Sequence, residues 1–347
     1  MSERWVVTGA SGFLGYHMCK FLVKKRVKCI GVDINPFEFE DLKGKVEFYR
    51  ADIRDFEKMK EITRGADVIM HGAAALPRWP KDKIWDVNVN GTKTLLEAAL
   101  TNRVPRFIFI STTAVYGIPR VHPIAEDYPL TGVGPYGESK VAAERLCEEY
   151  RKKGLIVSIL RPKTFVGSVR LGIFSILFDW VYRGKNIPII GSGNNRYQLL
   201  DVDDLVEAIW LVAHAPPEIA NDVYNVGAEK FGTIRTHVQT LLDYRGRGRI
   251  IPLPALPIKI ALRILEKLGL SPLYEWAYET VDKDHYVSIE KIKKKLGWKP
   301  RKSSEEALLD SYRWYEKHRK DVEGKRGVTH TAQWDEGVLG IIRDLFF

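Results

Sequence analysis

The stretch Trp5-Val6-Val7-Thr8-Gly9-Ala10-Ser11-Gly12-Phe13-Leu14-Gly15 decides the fold. An apolar run leads into a glycine turn, and a helical pattern begins at Tyr16. A buried strand, a glycine turn and a helix start form a dinucleotide-binding turn. Gly9 permits the tight turn. Gly12 has no side chain to hold a pyrophosphate away from the backbone, and Gly15 lets the helix pack closely on the strand. Phe13 and Leu14 stand at the helix N-terminus, whose free amides face the phosphates. A lone glycine pattern is a weak signal, because many tight turns look the same. Here the spacing is G-x-x-G-x-x-G, and a second strand over residues 28–32 ends in Asp33. That carboxylate can accept from a ribose 2′-hydroxyl and would repel a 2′-phosphate, which favours NAD over NADP.

Outward from this turn, strands and helices alternate, as parallel βαβ units do. Strands are expected at residues 46–49, 67–71, 106–110 and 155–160, with helices at 56–63, 82–100 and 136–153. From about residue 166 the elements become mixed and prolines more frequent. Helices are expected at 173–183, from Asp203 to about 214, at 234–243, 288–296 and 305–317, and a strand at 223–226. The reading is an α/β chain: a doubly wound parallel sheet with the NAD-binding Rossmann fold over residues 1–165. A smaller, mixed substrate lobe over 166–320 is interleaved with it, and 321–347 form an amphipathic tail. In that tail Val338, Leu339, Ile341, Ile342, Leu345, Phe346 and Phe347 recur at helical spacing. They suit a helix docked on the chain or on a second subunit, or a membrane-surface anchor or substrate lid.

The chain has 347 residues, 45% hydrophobic and 28% charged, which suffices for one large domain or one domain plus a lobe. No stretch approaches about 18 uninterrupted apolar residues, so no membrane span is expected. The first strand begins almost at once and leaves no room for a signal peptide. Cys19, Cys29 and Cys147 have no metal-ligand spacing and read as reduced thiols of a cytoplasmic protein. The net charge of +10 is scattered, with short clusters at Lys24-Lys25-Arg26 and Lys293-Lys294-Lys295. Without a basic stripe and interleaved aromatics it reads as solvated surface, then as attraction for an anionic ligand, and not as nucleic-acid binding.

Tyr136-Gly137-Glu138-Ser139-Lys140 opens a helix. Positions i and i+4 share a face, so the phenol and the ammonium point the same way. A phenol titrates near pH 10, and a nearby cation favours its ionised form, which makes Tyr136 a candidate general base. Y-x-x-x-K alone is common chance spacing. It gains weight one βα unit beyond Ser111-Thr112-Thr113.

These motifs, with Asp52-Ile53, His71-Gly72-Ala73-Ala74, Asn88-Val89-Asn90-Gly91-Thr92, Ser111-Thr112-Thr113-Ala114-Val115-Tyr116-Gly117 and Arg161-Pro162, resemble the extended short-chain dehydrogenase/reductase family. Within it they resemble the NAD-dependent sugar-nucleotide epimerase/dehydratase branch, over residues 4–318. The resemblance implies adenine contacts for Asp52 and Ile53, and close passage of the cofactor past Ala73 and Ala74. It places Asn88 near the active site, among the cofactor-binding residues, and Lys163 at the nicotinamide end, and has Lys140 hold the nicotinamide ribose. Thr112 would bond the reacting substrate oxygen beside Tyr136. Two departures concern the substrate: Thr164 replaces the asparagine that commonly binds its diphosphate, and Arg196 sits one residue off the family's arginine spacing to Asp204. A third concerns the reaction. Dehydratases of the branch carry an acid beside the catalytic threonine, and this chain has Thr113-Ala114.

The implied activity is nucleotide-sugar epimerisation, at C4, with no metal. The alternatives are an NAD-dependent dehydrogenase of a hydrophobic alcohol, like the family's hydroxysteroid dehydrogenases, and a silent NAD-binding protein. The family also implies a homodimer through the helices starting at 82 and 136. Val141, Leu146 and Tyr150 would suit that bundle or the monomer core equally.

Overall fold

The computed structural model describes residues 3–268, 275–324, 327 and 329–334. The apolar tail read from 338 to 347 lies outside them. The opening strand, β1 (Arg4–Thr8), is buried from Trp5 onward, and its alternate residues face two cores. Trp5 and Val7 join one apolar cluster and Val6 the other, as a strand buried on both faces requires.

The chain then alternates as α1 (Phe13–Lys24), β2 (Lys28–Asp33), β3 (Glu47–Arg50), α2 (Phe56–Thr63) and β4 (Val68–His71). It continues through α3 (Lys81–Trp85), α4 (Thr92–Thr101), β5 (Arg106–Ile110), α5 (Gly134–Lys152) and β6 (Val157–Pro162). The second half contains β7 (Phe165–Val166), α6 (Ile173–Tyr182), β8 (Ile187–Ile190), β9 (Leu200–Asp201), α7 (Val202–Ala213), α8 (Pro217–Ala220) and β10 (Val223–Val226). After them come α9 (Ile234–Arg245), β11 (Ile250–Leu253), α10 (Ala255–Lys267), α11 (Glu275–Thr280), α12 (Glu290–Leu296) and α13 (Ser304–Val322).

Seven strands form one parallel sheet in the order β3-β2-β1-β4-β5-β6-β10. Strand order reverses between β1 and β4, and that reversal opens the crevice in which such sheets bind ligands. One face packs Trp5 and Val7 against Met18 of α1 and Leu205 and Ile209 of α7, with Trp5 stacked on Trp210 at 5.7 Å. The other packs Val6 and Ile30 against Leu95 and Leu96 of α4 and Ala143 of α5. Two short parallel pairs, β8 with β11 and β7 with β9, stand apart from the main sheet. A third apolar cluster joins α6, α9 and α13 through Phe178, Leu241, Tyr312 and Tyr315.

The helix expected over 82–100 is not continuous. Between α3 and α4 the backbone makes a π-helical turn, Asp86–Gly91. Gly91 lies against Ile53, where an added Cβ would come within 2.6 Å of the Ile53 side chain. The widened turn also frees Asn88 to reach neighbouring segments, a recurrent use of such bulges. Helix α5 begins two residues before Tyr136, with Pro135 in its first turn, where a missing amide is tolerated. Val141 and Tyr150 are buried within the chain's own core. No helix among the described residues is long and apolar enough to cross a membrane. All three cysteines are free thiols and buried.

Candidate active site

The glycine turn closes over the switch point. Gly9 has φ +75°, and a Cβ there would sit 2.8 Å from the Ala73 amide nitrogen at the end of β4. At Gly15 a Cβ would lie 2.1 Å from the Gly9 carbonyl oxygen, so this glycine is required by the turn itself rather than by the strand below it. The N-terminus of α1 carries no side-chain cap on Gly12, which leaves its first amides for phosphate oxygens. The Phe13 ring is buried against Phe165 and His17, so only its backbone is left to serve the turn.

At the end of β2, Asp33 accepts the Ser11 amide on one oxygen (3.0 Å) and the Asn35 amide on the other (2.9 Å). Burial holds its carboxyl above the usual range. Asp52 is paired with Arg54 (2.5 Å), whose hydrogen bond holds the carboxylate below its ordinary value, and Arg54 also bridges to Asp86.

Below the switch point, Thr8 Oγ1 and His71 Nδ1 lie 2.8 Å apart, and His71 Nε2 lies 2.9 Å from Thr92 Oγ1. The Ala73 amide donates to Thr8 Oγ1 (3.3 Å), which ties the two strand ends together. Asn88 joins the loop after β4 to α5. Its carbonyl oxygen accepts the Ala75 amide (2.8 Å), and its amide donates to Ala75 O and to Ser139 Oγ (3.0 Å). With its polar atoms engaged in this way, it positions the loop after β4 against α5.

Thr112 follows β5 and caps a short turn, Thr113–Tyr116, by accepting the Ala114 amide (3.2 Å). That turn touches the start of α5: a Cβ on Gly137 would lie 3.1 Å from the Ala114 carbonyl. Thr112, Tyr136 and Lys140 thus come from two adjoining segments. Lys140 is buried, donates to Ile110 O (2.6 Å) and stands 4.0 Å over the Phe109 ring. Burial lowers its amine to about 8, and burial pushes the Tyr136 phenol up to about 12. The protein alone therefore does not acidify the phenol, contrary to the expectation from i,i+4 spacing.

A buried polar network supports this end of the sheet. Ser111 donates to Glu144, which pairs with Arg161 (2.6 Å). Arg161 donates to the Tyr116 hydroxyl (2.9 Å), which donates to Asn225 (2.6 Å). Glu144 was not singled out from the sequence, although it falls one turn after Lys140 on the same helix face.

The match to known proteins fits this arrangement. Residues 5–227 match the NAD dependent epimerase/dehydratase family. An uncharacterized protein of Sinorhizobium fredii, y4nG, is 33% identical over 97% of this chain and 85% of its own length. The chain belongs to the NAD dependent epimerase/dehydratase family. UDP-glucose 4-epimerase of Thermotoga maritima, solved with UDP-glucose, superposes with a TM-score of 0.77 at 26% identity, covering 91% of this chain and 99% of that one. The dTDP-glucose 4,6-dehydratase DesIV of Streptomyces venezuelae, solved with NAD, gives 0.75 at 26% identity, covering 92% and 99%. NAD is the cofactor of this family member, and the cradle described above fits it. The shape left by Gly9 and Gly15, the uncapped α1 and the carboxylate ending β2 are the features such a dinucleotide needs.

The remaining expected residues gather at the end of β6. Lys163 is 1% exposed, in hydrogen-bond contact with His285 Nδ1 and 4.6 Å from the Tyr197 ring centre. Thr164 Oγ1 is 3.4 Å from the Tyr197 hydroxyl. Arg196 is exposed, its guanidinium 4.7 Å from the Phe231 ring centre and 4.6 Å from that of Tyr286. His122, Tyr197 and His285 did not stand out in the sequence; they reach Lys163 only through long-range packing. No group of side chains suited to a metal ion occurs among the described residues.

Proposed function

We propose that this family member is an NAD-dependent nucleotide-sugar 4-epimerase, with Thr112, Tyr136 and Lys140 as its catalytic residues. The observation that carries the reading is the junction of the Thr112 turn with the start of α5, beside a switch point shaped for a dinucleotide. Bound NAD supplies a hydride acceptor that is regenerated within the cycle, so net redox is zero. Tyr136 takes the proton of the C4 hydroxyl and later returns it. Thr112 holds the same oxygen by a hydrogen bond. Lys140, anchored on Ile110 O, fixes the register of α5 and presents its remaining donors to the nicotinamide ribose. Burial raises the phenol to about 12, and the positive charge of an oxidised nicotinamide bound in this cleft would favour its ionised form. Arg196 and Thr164 serve the substrate diphosphate.

Dehydration is disfavoured because Thr113-Ala114 offers no acid, and the buried Glu144 and half-buried Glu126 are already engaged by Arg161 and by the Asn225 amide. Incubation with NAD and UDP-glucose or UDP-glucuronate tests the reading. A C4 epimer should form without stoichiometric NADH absorbance, and Tyr136→Phe should lose turnover while retaining NAD. Lasting NADH accumulation would mark a dehydrogenase, and full activity in Tyr136→Phe would end the assignment.

A further inference from the structure

Helix α10 is turned the opposite way from an ordinary surface helix, which puts its apolar stripe on the core and its charges in water. Here three charged residues turn toward α11 and the segment after it. Lys259 is buried and pairs with Asp282 (2.6 Å). Arg263 pairs with Glu279 (2.5 Å), and Glu266 accepts the Tyr278 hydroxyl (2.5 Å). The opposite side of the helix is left to solvent. It carries Leu256, Ile260 and Ile264, and Leu268 continues the row just past the last turn. These four are 71%, 46%, 55% and 65% exposed, and a spacing of four keeps them on one side. Single exposed apolar side chains are ordinary, but a contiguous row marks a contact surface. Eight large hydrophobic side chains are exposed among the described residues, and half of them stand in this one row.

The charges around the row decide its partner. By helical phase Lys267 stands within it and Arg263 at its edge, and both are exposed. The one acid of the helix, Glu266, lies on the far side with Tyr278. An apolar row accompanied only by cations does not complement a second copy of itself, because pairing would bring like charges together. It does complement an anionic lipid surface, toward which the chain's net charge of +10 also draws it. A bilayer accepts a straight apolar row without a matching groove, and lysine and arginine stems lie along such a row while their heads reach the phosphates. At 13 residues α10 is too short to span a bilayer, which takes about 20. We propose that α10 is a membrane-surface contact: Leu256, Ile260, Ile264 and Leu268 enter an anionic leaflet, and Lys267 and Arg263 meet its phosphate headgroups. The α10–α11 hairpin adjoins the candidate active site, since a Cβ on Gly134, two residues before Tyr136, would lie 3.7 Å from the Glu275 carboxylate. Docking through α10 therefore brings that side of the cleft toward the bilayer.

The test is co-sedimentation of the NAD-loaded full chain with two kinds of vesicle, phosphatidylcholine alone and about three parts phosphatidylcholine to one part phosphatidylglycerol. The mixed vesicles should bind at least about tenfold more tightly, and added salt should weaken that binding. Ile260→Ser combined with Ile264→Ser should lower the affinity for mixed vesicles by about ten- to a hundredfold, with NAD affinity unchanged. Lys267→Gln should lower it by about fivefold and leave phosphatidylcholine binding as it was. This exposed single change decides the matter should the double variant fail to fold. Binding to neither vesicle, or equal binding to both, overturns the proposal. So does vesicle binding that the α10 variants leave unchanged, which would move the contact to another segment, such as the apolar residues 338–347. A dimer in solution that the double variant dissociates also overturns it, by giving the row to a second copy of the chain. None of these outcomes bears on the epimerase reading, which NAD and sugar-nucleotide turnover test separately.

Discussion

Lys140 donates to the carbonyl of Ile110 at 2.6 Å, so the helix that carries Tyr136 is pinned to the last residue of β5, two positions before Thr112. Removing the amine while keeping the volume separates positioning from packing. Lys140→Met is expected to lower turnover by about 10²–10⁴-fold, the range of a lost acid–base group, and to weaken NAD binding. The stability signature has a definite sign. The folded amine titrates near 8 against an ordinary 10.5, so between those values only the unfolded chain holds the extra proton. Stability should rise across that interval in the wild type. Thermal melts from pH 8 to 10.5 should show a flatter curve for the methionine variant.

Glu144 and Arg161 form an ion pair in which both partners are nearly inaccessible, with Ser111 and Tyr116 completing its hydrogen bonds. Breaking such a pair from one side leaves an uncompensated buried charge and costs about 3–5 kcal/mol. Glu144→Leu should therefore shift the urea midpoint far more than an exposed-surface change does. The double variant Glu144→Leu with Arg161→Met should recover much of the loss. A single variant as stable as the wild type would show that the pair does not hold this end of the sheet together.

His71 is enclosed between Thr8 and Thr92, and burial lowers its ring to about 3, aided by Lys140 nearby. Below about pH 6.5 the unfolded chain gains a proton there that the folded chain does not. Stability should therefore fall as pH drops from 6.5 toward 3. In His71→Asn that slope should be shallower, even though the variant is less stable at neutral pH. Chemical denaturation at pH 7 and pH 4.5 on both proteins measures the difference.

What could be read from the sequence was local. The turn over Gly9–Gly15 and the alternation of strand and helix lie within short windows, and each leaves a periodic trace. Tyr136 and Lys140 are legible because one helical turn separates them. The features that were not legible share the opposite character. The π turn at Asp86–Gly91 depends on Ile53, and the Asn88 amide is claimed by Ala75 and Ser139, none of which its own window reveals. The partner of Lys163 lies 122 residues away in the chain. Likewise the spacing of Tyr136 and Lys140 told where the side chains point, but burial, which spacing does not report, set their protonation.

Asp33 supports the last prediction. Each of its oxygens already accepts one backbone amide, from Ser11 and from Asn35, so the carboxylate is fixed in orientation before any nucleotide arrives. A fixed carboxylate retains lone pairs for ribose hydroxyls, and its charge repels a 2′-phosphate at close range. Burial holds its carboxyl above the usual range, but the two amides oppose that shift and favour the anion. Asp33→Ala removes acceptor and charge together, and it also strips the Ser11 amide of its partner. NAD affinity should fall by about tenfold or more, as expected for losing a hydrogen bond to a charged group. NADP affinity should fall much less or rise, so the ratio between the two cofactors narrows. Titrating both dinucleotides into cofactor-stripped protein measures that ratio. An unchanged ratio would place the ribose away from Asp33 and relocate the adenosine end of the cleft.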